Sequence, residues 1–192
     1  MQVEIKELYG IWDKGYALNK HTKSSECIGY NEYGYPIFNT IRTDVGEALY
    51  QLKYKQDKSQ IKPLADCLAQ NIYPLFERVG FIVPMPASTE RIWQPVTEIV
   101  NELSKIVNIP CFNSMLLKQK GRSLKDLNDK EEKIQALNGT FSLIKNIKND
   151  GKWNVLLIDD VFHTGASMEV ASNALKTYEK IDKVYITAIT WR

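Results

Sequence analysis

The stretch "VLLIDDVFHTGAS", Val155–Ser167, carries the most information about the fold of this chain. Four aliphatic residues run straight into two adjacent aspartates, Asp159 and Asp160, and a turn of small and hydroxyl residues follows. A continuous apolar run of this length is typical of a strand that is buried on both faces. The stretch therefore predicts a buried strand that runs into a doubled negative charge.

A helix and a second strand are predicted directly after this stretch. Ala171, Ala174, Leu175 and Tyr178 form an apolar stripe at helical spacing, and the apolar run "KVYITAIT" (183–190) follows. A strand, a helix and a strand in this order form a βαβ unit, and continuously apolar strands are typical of parallel sheets. We therefore predict an α/β fold with a parallel sheet flanked by helices.

The sequence before this unit divides into a β-rich part and a helical part. Residues 1–44 are rich in Tyr, Gly and Asn, which predicts β-hairpins or a meander. A short apolar strand is expected at 81–83. Apolar residues recur at helical spacing in three places: 45–52, 61–72 and 96–103. We expect one compact domain, with a β-rich segment at 1–44 and an α/β core at 45–192.

Composition restricts the classes of function. The chain has 192 residues and a formal net charge of only +2, so no whole-protein field favours nucleic acid or an anionic membrane. Cys27, Cys67 and Cys111 are widely separated and have no histidine nearby, which argues against a zinc site or a disulfide framework. No apolar run approaches a membrane span, and the first ten residues lack the apolar centre of a signal peptide. We predict a cytoplasmic protein.

The doubled aspartate indicates a ligand site. In an open parallel sheet, ligands bind beyond the carboxyl ends of the strands, where Asp159 and Asp160 are expected. The next turn, with Thr164, Gly165 and Ser167, leads into a helix and offers N–H and hydroxyl donors to a phosphate. Carboxylates repel phosphate but suit sugar hydroxyls or hydrated Mg²⁺. A sugar phosphate is the predicted ligand, since the GxxxxGK(S/T) and GxGxxG patterns of other nucleotide sites are absent.

The same stretch resembles the phosphoribosyl-pyrophosphate (PRPP) signature of type I phosphoribosyltransferases: a hydrophobic strand, (D/E)D, a turn and TG-x-(S/T). Three further segments resemble the ComF-like branch, named for a competence protein: "ALYQLKYKQDKSQIKPLADCLA", "VPMPASTER" and "LLKQKGRSLKDLNDKEEKIQALNGTFSL". The similarity runs in order through residues 45–192. It implies a type I phosphoribosyltransferase-like sheet with a small N-terminal hood at 1–44. It also implies a reaction of nucleotide metabolism, in which a 5-phosphoribosyl group passes from PRPP to a nitrogen acceptor and pyrophosphate is released.

The resemblance also implies roles for the residues of the signature. Asp159 and Asp160 would contact the ribose hydroxyls and act in catalysis, and they would hold Mg²⁺ through water or those hydroxyls. His163 stands where the family usually has a small or hydroxyl residue. The turn that would hold the 5-phosphate consists of Phe162, His163, Thr164, Gly165, Ala166 and Ser167.

Two loops would complete the site by the same resemblance. Arg91, with its planar fork of donors, is the expected counter-charge of the pyrophosphate. The polar stretch 118–133 is similar to the flexible loop that closes over the reaction. The pyrophosphate loop would comprise Met85, Pro86, Ala87, Ser88 and Arg91, and the closing loop would supply the catalytic cations Lys118, Lys120 and Arg122.

Several alternatives stay open at this point. The chain is either an enzyme, a non-catalytic PRPP- or nucleotide-binding regulatory protein, or an accessory protein in the uptake of single-stranded DNA. The acceptor is not identified, although the resemblance places its selection in the hood at 1–44. Trp191 either borders the acceptor site or caps the sheet. The expected partners are PRPP and a small-molecule acceptor, and a homodimer is one option for the oligomeric state.

Overall fold

A computed structural model describes residues 1–87, 93–119, 127 and 129–192. The strands are β1 (Lys6–Glu7), β2 (Lys14–Lys20), β3 (Thr22–Tyr30), β4 (Pro36–Arg42), β5 (Val79–Pro84), β6 (Leu116–Lys118), β7 (Phe141–Leu143), β8 (Trp153–Phe162) and β9 (Ile181–Trp191). The helices are α1 (Asp44–Lys55), α2 (Ile61–Asn71), α3 (Pro95–Val107), α4 (Lys130–Leu137) and α5 (Ala166–Lys176). Two short 3₁₀ turns lie at Lys58–Gln60 and Tyr73–Leu75.

Five strands form the central sheet, in the order β1-β2-β9-β8-β5. Its strand pairs are parallel except for β1 with β2, which is antiparallel. Two antiparallel pairs, β3 with β4 and β6 with β7, lie outside this sheet. The predicted α/β fold with a parallel sheet flanked by helices is confirmed.

The strand β8 is buried because helices cover both faces of the sheet. Residues 155–158 are at most 1% exposed, and their side chains alternate between two hydrophobic cores. One core contains the buried faces of α1, α2 and α3, and the other contains α5, β6 and Trp12. The apolar run of β8 thus reflects burial on both sides, and β8, α5 and β9 form the predicted βαβ unit.

The predicted helices form where the apolar periodicity places them. The α1 helix begins after Thr43, whose hydroxyl accepts a hydrogen bond from the Gly46 backbone N–H at 3.0 Å. Gly46 is required at this turn, because a Cβ there would overlap the carbonyl group of His21. Pro95 occupies the first turn of α3, as expected, and Cys67 is buried within α2. The start of α1 is therefore packed directly against the end of β2.

The N-terminal segment contributes to two parts of the molecule. The β2 strand pairs in parallel with β9 inside the central sheet, and its Ala17 and Leu18 are fully buried. Only β3 and β4 form a separate hairpin, on which Tyr30 and Phe38 are exposed. Local sequence predicted β structure here but not a partner strand at the other end of the chain. The division of the chain at residue 44 stays a prediction.

Three further observations concern classes of site. Throughout the described ranges, no helix combines the length and the apolar character needed to cross a bilayer. The three cysteines are free thiols. The described residues contain no cluster of three or more His, Cys, Asp or Glu side chains that could hold a metal ion by themselves.

Candidate functional site

A cavity opens where β5 ends and β8 continues. The last residue pair between these strands is Pro84 with Ile158, whereas β8 stays paired with β9 as far as Phe162. Asp159 and Asp160 therefore lie within β8, not beyond its end. On the side of β5 they have no paired residue, because β5 ends at Pro84. The space left by β5 is a cavity of about 270 Å³, which we call the acidic cavity.

The acidic cavity collects side chains from most of the predicted segments. They come from α1, the loop after β5, the start of α3, β6, β8 and the first turn of α5. The lining residues are Lys53, Met85, Pro86, Ala87, Gln94, Pro95, Val96, Lys118, Asp159, Asp160 and Ser167. Segments that are far apart in sequence thus meet at one edge of the sheet, as expected for a ligand site in a parallel α/β fold.

An ion pair that sequence reasoning missed lines this cavity. Lys53 of α1 binds the Oδ2 atom of Asp160, and both side chains are only about one-fifth exposed, at 19% and 22%. The backbone N–H of Asp160 donates to Asp159 Oδ1 at 2.7 Å. Lys53 follows the buried Leu49 by four residues, so its position at the edge of an apolar helix face was a usable signal.

Asp159 and Lys118 have pKa values that are shifted by their surroundings. Burial, together with the negative charge of Asp160, raises the pKa of Asp159 to about 7. The hydrogen bond from the Asp160 N–H and the ammonium groups of Lys53 and Lys118 oppose this rise. Burial lowers the pKa of Lys118, and Asp159 opposes that change. Such shifts are characteristic of functional sites, and they leave Asp159 with a proton to release near neutral pH.

The turn after β8 forms an open helix start. Gly165 adopts the left-handed conformation, with φ of +81°, and a Cβ there would lie 2.8 Å from Cζ of Phe162. Gly165 is also the N-cap of α5, and it has no side chain that could cap the helix. The first N–H groups of α5 are therefore available to an anion, and Ser167 of the same turn lines the acidic cavity.

The other predicted residues of this turn lie away from the cavity surface. Phe162 packs edge-on against Trp12, with ring centroids 6.1 Å apart. His163 is exposed, Thr164 is half-buried and Ala166 is buried in the packing between α4 and α5. Their predicted contacts with a phosphate stay predictions. Four predicted site residues lie outside the described residues: Ser88, Arg91, Lys120 and Arg122.

A second cavity, of about 490 Å³, lies between the β3–β4 hairpin and the end of β9. We call it the basic cavity. Trp191 borders it, and whether this residue borders an acceptor site stays a prediction. The lining residues are Lys20, His21, Thr22, Ser25, Thr40, Arg42, Trp191 and Arg192. Sequence reasoning missed this cavity as a whole, because its members come from three separate stretches of the chain.

A short hydrogen-bond relay joins the two cavities. The Thr190 hydroxyl donates to the carbonyl oxygen of Asp160 at 3.1 Å, and His21 Nδ1 lies 3.0 Å from the same hydroxyl. Burial, followed by the positive charges of Arg192 and Arg42, lowers the pKa of His21 to about 4. His21 is therefore neutral at neutral pH.

Solved structures show the same fold, whereas sequence comparisons find nothing. No family model and no curated protein match this chain. An adenine phosphoribosyltransferase is 14% identical with a TM-score of 0.50, over 88% of this chain and 85% of that one. The glutamine PRPP amidotransferase of B. subtilis (14% identical, TM-score 0.49) and the UMP synthase of Leishmania donovani (13%, 0.46) match over 83% and 86% of this chain.

The match to the adenine phosphoribosyltransferase supports the fold and nothing finer. The chain spans only 34% of the amidotransferase and 29% of the UMP synthase. At such identities a common fold does not establish a common reaction. The ComF-like branch is not identified by these matches and stays a hypothesis. The chain has the α/β fold that is seen in type I phosphoribosyltransferases.

Proposed function

We propose that this protein binds PRPP together with Mg²⁺ and transfers its 5-phosphoribosyl group to a nitrogen nucleophile. One observation carries the proposal: Asp159 and Asp160 line the same cavity as Ser167 in the uncapped first turn of α5. Carboxylates suit ribose hydroxyls, and a helix start suits a phosphate. Adjacent groups with these opposite preferences favour a ligand that carries both a diol and a phosphate.

The cations of the acidic cavity suit the charge that develops in this reaction. As the bond between C1 and the pyrophosphate oxygen breaks, negative charge grows on the leaving group. Lys118 lines the same cavity as the carboxylates of β8 and the loop residues Met85, Pro86 and Ala87. A preorganised cation in a partly buried site stabilises such charge more strongly than water does. Lys53 holds the Asp160 carboxylate in position for the ribose.

The two aspartates fit a bound Mg²⁺. This ion usually keeps several waters and takes one or two carboxylates together with phosphate oxygens of the substrate. Asp159 and Asp160 would hold it, directly or through water and ribose hydroxyls. When bound, the ion supplies positive charge against the leaving pyrophosphate. A cation held there would favour the ionised form of the Asp159 carboxylate, which burial otherwise disfavours.

The remaining site residues are proposed from the sequence resemblance. Arg91 and Ser88 would extend the pyrophosphate contacts of the loop after β5. Lys120 and Arg122 would close over the substrate and exclude water, which limits hydrolysis of the activated sugar. The turn from Phe162 to Ala166 would complete the phosphate cradle around Gly165. The sequence also leads us to propose a place in the ComF-like branch, a cytoplasmic location and a homodimer.

Thermal unfolding with and without PRPP and Mg²⁺ tests the binding. A ligand that binds only the folded state stabilises it, and we expect the melting temperature to rise by about 5 °C or more near 100 times Kd. Asp160→Asn should abolish this rise. Because Lys53 is the ion-pair partner of Asp160, the double variant Lys53→Met/Asp160→Asn removes both members of the pair and provides a second test.

The matched control is Asp66→Asn, which breaks an exposed ion pair between Asp66 and Lys62 at 3.1 Å, far from the cavity. It should keep the full response to PRPP. A response to PRPP that persists unchanged in both Asp160 variants would show that the ligand binds elsewhere. No response in the parent protein at millimolar PRPP would refute the proposal.

Pyrophosphate release separates the enzyme from the non-catalytic alternative. The acceptors to test are purine, pyrimidine and nicotinamide-type bases, each with PRPP and Mg²⁺. Release with any of them excludes a purely regulatory binding protein, whereas stabilisation by PRPP without release would favour it. Salt-sensitive binding of single-stranded DNA would support the accessory role in DNA uptake.

A further inference from the structure

The basic cavity has an uncompensated positive charge. Three cationic side chains line it, Lys20, Arg42 and Arg192, and none of its described lining residues is acidic. Arg42 is paired with Glu47 at 3.3 Å, but the ion pairs found within the described ranges do not involve Lys20 or Arg192. A cavity of this sign favours an anionic group on whatever it binds.

Arg42 is held by two contacts and is suited to a planar anion. The guanidinium group of Arg42 lies over the ring of Tyr50, 3.7 Å from its centroid, and is also held by Glu47. Its planar fork of donors matches the geometry of a carboxylate. An anionic ligand would add a counter-charge beside Lys20 and Arg192, which take part in none of the ion pairs of the described ranges, and a neutral ligand would not.

The neutral groups of the cavity suit a polar ring. His21 contributes no charge, because its pKa is about 4. Since the Thr190 hydroxyl donates to Asp160, the Nδ1 atom of His21 must donate to Thr190, which leaves Nε2 as an acceptor. The indole N–H of Trp191 is buried and has no hydrogen-bond partner among the described residues. A ligand with both donors and acceptors would satisfy these groups.

The position of the cavity relates it to the proposed ribose site. His21 of the basic cavity contacts the Thr190 hydroxyl, which donates to the backbone carbonyl oxygen of Asp160, a residue that lines the acidic cavity. The volume of about 490 Å³ is typical of a site for one small molecule. A ring bound there would lie beside the sugar, on the side away from the loop after β5.

We propose that the basic cavity is the acceptor site and that the acceptor is a nitrogen heterocycle that carries a carboxylate. The proposal rests on the phosphoribosyl function for the identity of the donor. The ring nitrogen forms a bond to C1, the bond from C1 to the pyrophosphate oxygen breaks, and its electron pair leaves with pyrophosphate. Any proton on the attacking nitrogen passes to solvent. Lys20 and Arg42 hold the carboxylate and select acids over neutral bases.

Two pairs of bases that differ only in a carboxylate test this selection: orotate with uracil, and nicotinate with nicotinamide. Binding is measured by calorimetry without PRPP, and pyrophosphate release is measured with PRPP and Mg²⁺. We expect at least one acid to bind about 10-fold or more tightly than its neutral partner, and to be the better acceptor. Arg42→Gln and Lys20→Gln should each weaken binding of the acid about 5- to 30-fold.

Lys23→Gln is the matched control. It removes the same charge from the exposed part of β3, and Lys23 does not line the basic cavity. Lys23→Gln should change the affinity for the acid less than about twofold. Lys23→Gln, Arg42→Gln and Lys20→Gln should all keep the stabilisation by PRPP. Lys20 is exposed and the Arg42 side chain, at 22% exposure, is not part of a hydrophobic core, so circular dichroism should show an unchanged fold.

The outcomes separate this proposal from the phosphoribosyl function. If neutral bases bind as tightly as the acids, or if Arg42→Gln and Lys20→Gln leave the affinity for the acid unchanged, the proposal is overturned. If PRPP stabilises the protein but only neutral bases release pyrophosphate, the acceptor class is wrong and the phosphoribosyl function stands. If PRPP has no effect, the phosphoribosyl function fails, and the acceptor role of the cavity fails with it.

Discussion

The two cavities lie near the carboxyl ends of adjacent strands of one sheet, yet their chemistry is opposite. The acidic cavity, at β8, has two carboxylates that face lysines beside an open helix start. The basic cavity, at the end of β9, is lined by cations and hydroxyl groups without a carboxylate among its described residues. The parallel sheet determines where ligands bind, and the side chains at each strand end determine what binds there.

Burial shifts the pKa of a carboxyl group in the acidic cavity and of an imidazole in the basic cavity in opposite directions. It raises the pKa of Asp159 to about 7 and lowers the pKa of His21 to about 4. The cause is the same, since a low-dielectric surrounding disfavours the charged form of either group. The acidic cavity therefore holds less negative charge than its residues suggest, and the basic cavity owes its positive charge to Lys and Arg alone.

The largest effect is expected from Gly165→Ala, which should disrupt the acidic cavity only. The new Cβ would lie 2.8 Å from Phe162 at a backbone φ of +81°, so we expect a loss of roughly 2–4 kcal/mol in the free energy of unfolding. Gly139→Ala is the control, because Gly139 has a φ of +73° and open space around it, and should cost about 1 kcal/mol. Urea unfolding measures both.

The same pair of variants reports on the ligand sites. Gly165→Ala should reduce the stabilisation by PRPP and leave the binding of acidic rings in the basic cavity intact. Equal losses of stability in the two variants would mean that the contact with Phe162 relaxes without cost. If Gly165→Ala weakened the binding of PRPP and of acidic rings equally, the result would contradict the separation of the two cavities.

Asp159→Asn should change how stability depends on pH. A carboxyl group with a raised pKa contributes stability that is present below its unfolded pKa, near 4, and is lost as the pH rises through about 7. The variant should therefore gain stability relative to the parent between pH 4 and pH 7, by an amount on the order of 2 kcal/mol. Urea unfolding at several pH values measures this, and a difference that is constant with pH would contradict it.

His21→Gln should produce a pH dependence of the opposite sign. A histidine with a lowered pKa contributes stability that is present above its unfolded pKa of about 6.5 and is lost as the pH falls through about 4. The free energy of unfolding of the variant should therefore rise relative to that of the parent as the pH falls, by an amount on the order of 2 kcal/mol. Nuclear magnetic resonance titration of His21 in the parent checks the cause, and a pKa near 6.5 would contradict it.

Thr190→Val should have the smallest effect on stability and the most specific effect on the relay. It removes the hydroxyl between His21 and Asp160, at a cost of about 1 kcal/mol. Thr187→Val is the matched control, because its hydroxyl donates to the Tyr16 carbonyl at 2.8 Å on the same strand, away from both cavities.

Nitrogen-15 spectra distinguish the two threonine variants. Only Thr190→Val should change the tautomer of His21, because only Thr190 accepts the Nδ1–H bond. Unfolding measurements should show similar losses of stability in the two variants. An unaltered His21 spectrum in Thr190→Val would show that the relay does not orient the ring.

Much of the core was predictable because buried strands and helix faces require apolar residues at regular spacing in the local sequence. The apolar runs of β8 and β9 and the apolar periodicity of α1, α2, α3 and α5 predicted elements that the structure confirms. The parallel pairing of β2 with β9 was missed, because a strand partner at the far end of the chain leaves no local pattern. The Asp159–Asp160 pair was recognised from its place after an apolar strand, whereas the position of Lys53 at the edge of an apolar helix face was not recognised as a signal.

The sequence by itself determined an α/β sheet and the acidic residues at its edge, since alternation, apolar runs and adjacent carboxylates are properties of neighbouring residues. Only the tertiary structure decided that Lys53 pairs with Asp160 and that Lys20, Arg42 and Trp191 surround one cavity. These residues approach each other through the crossing of strands and the packing of α1 against the sheet. Distances between remote side chains depend on how elements pack, and no short stretch of sequence encodes that packing.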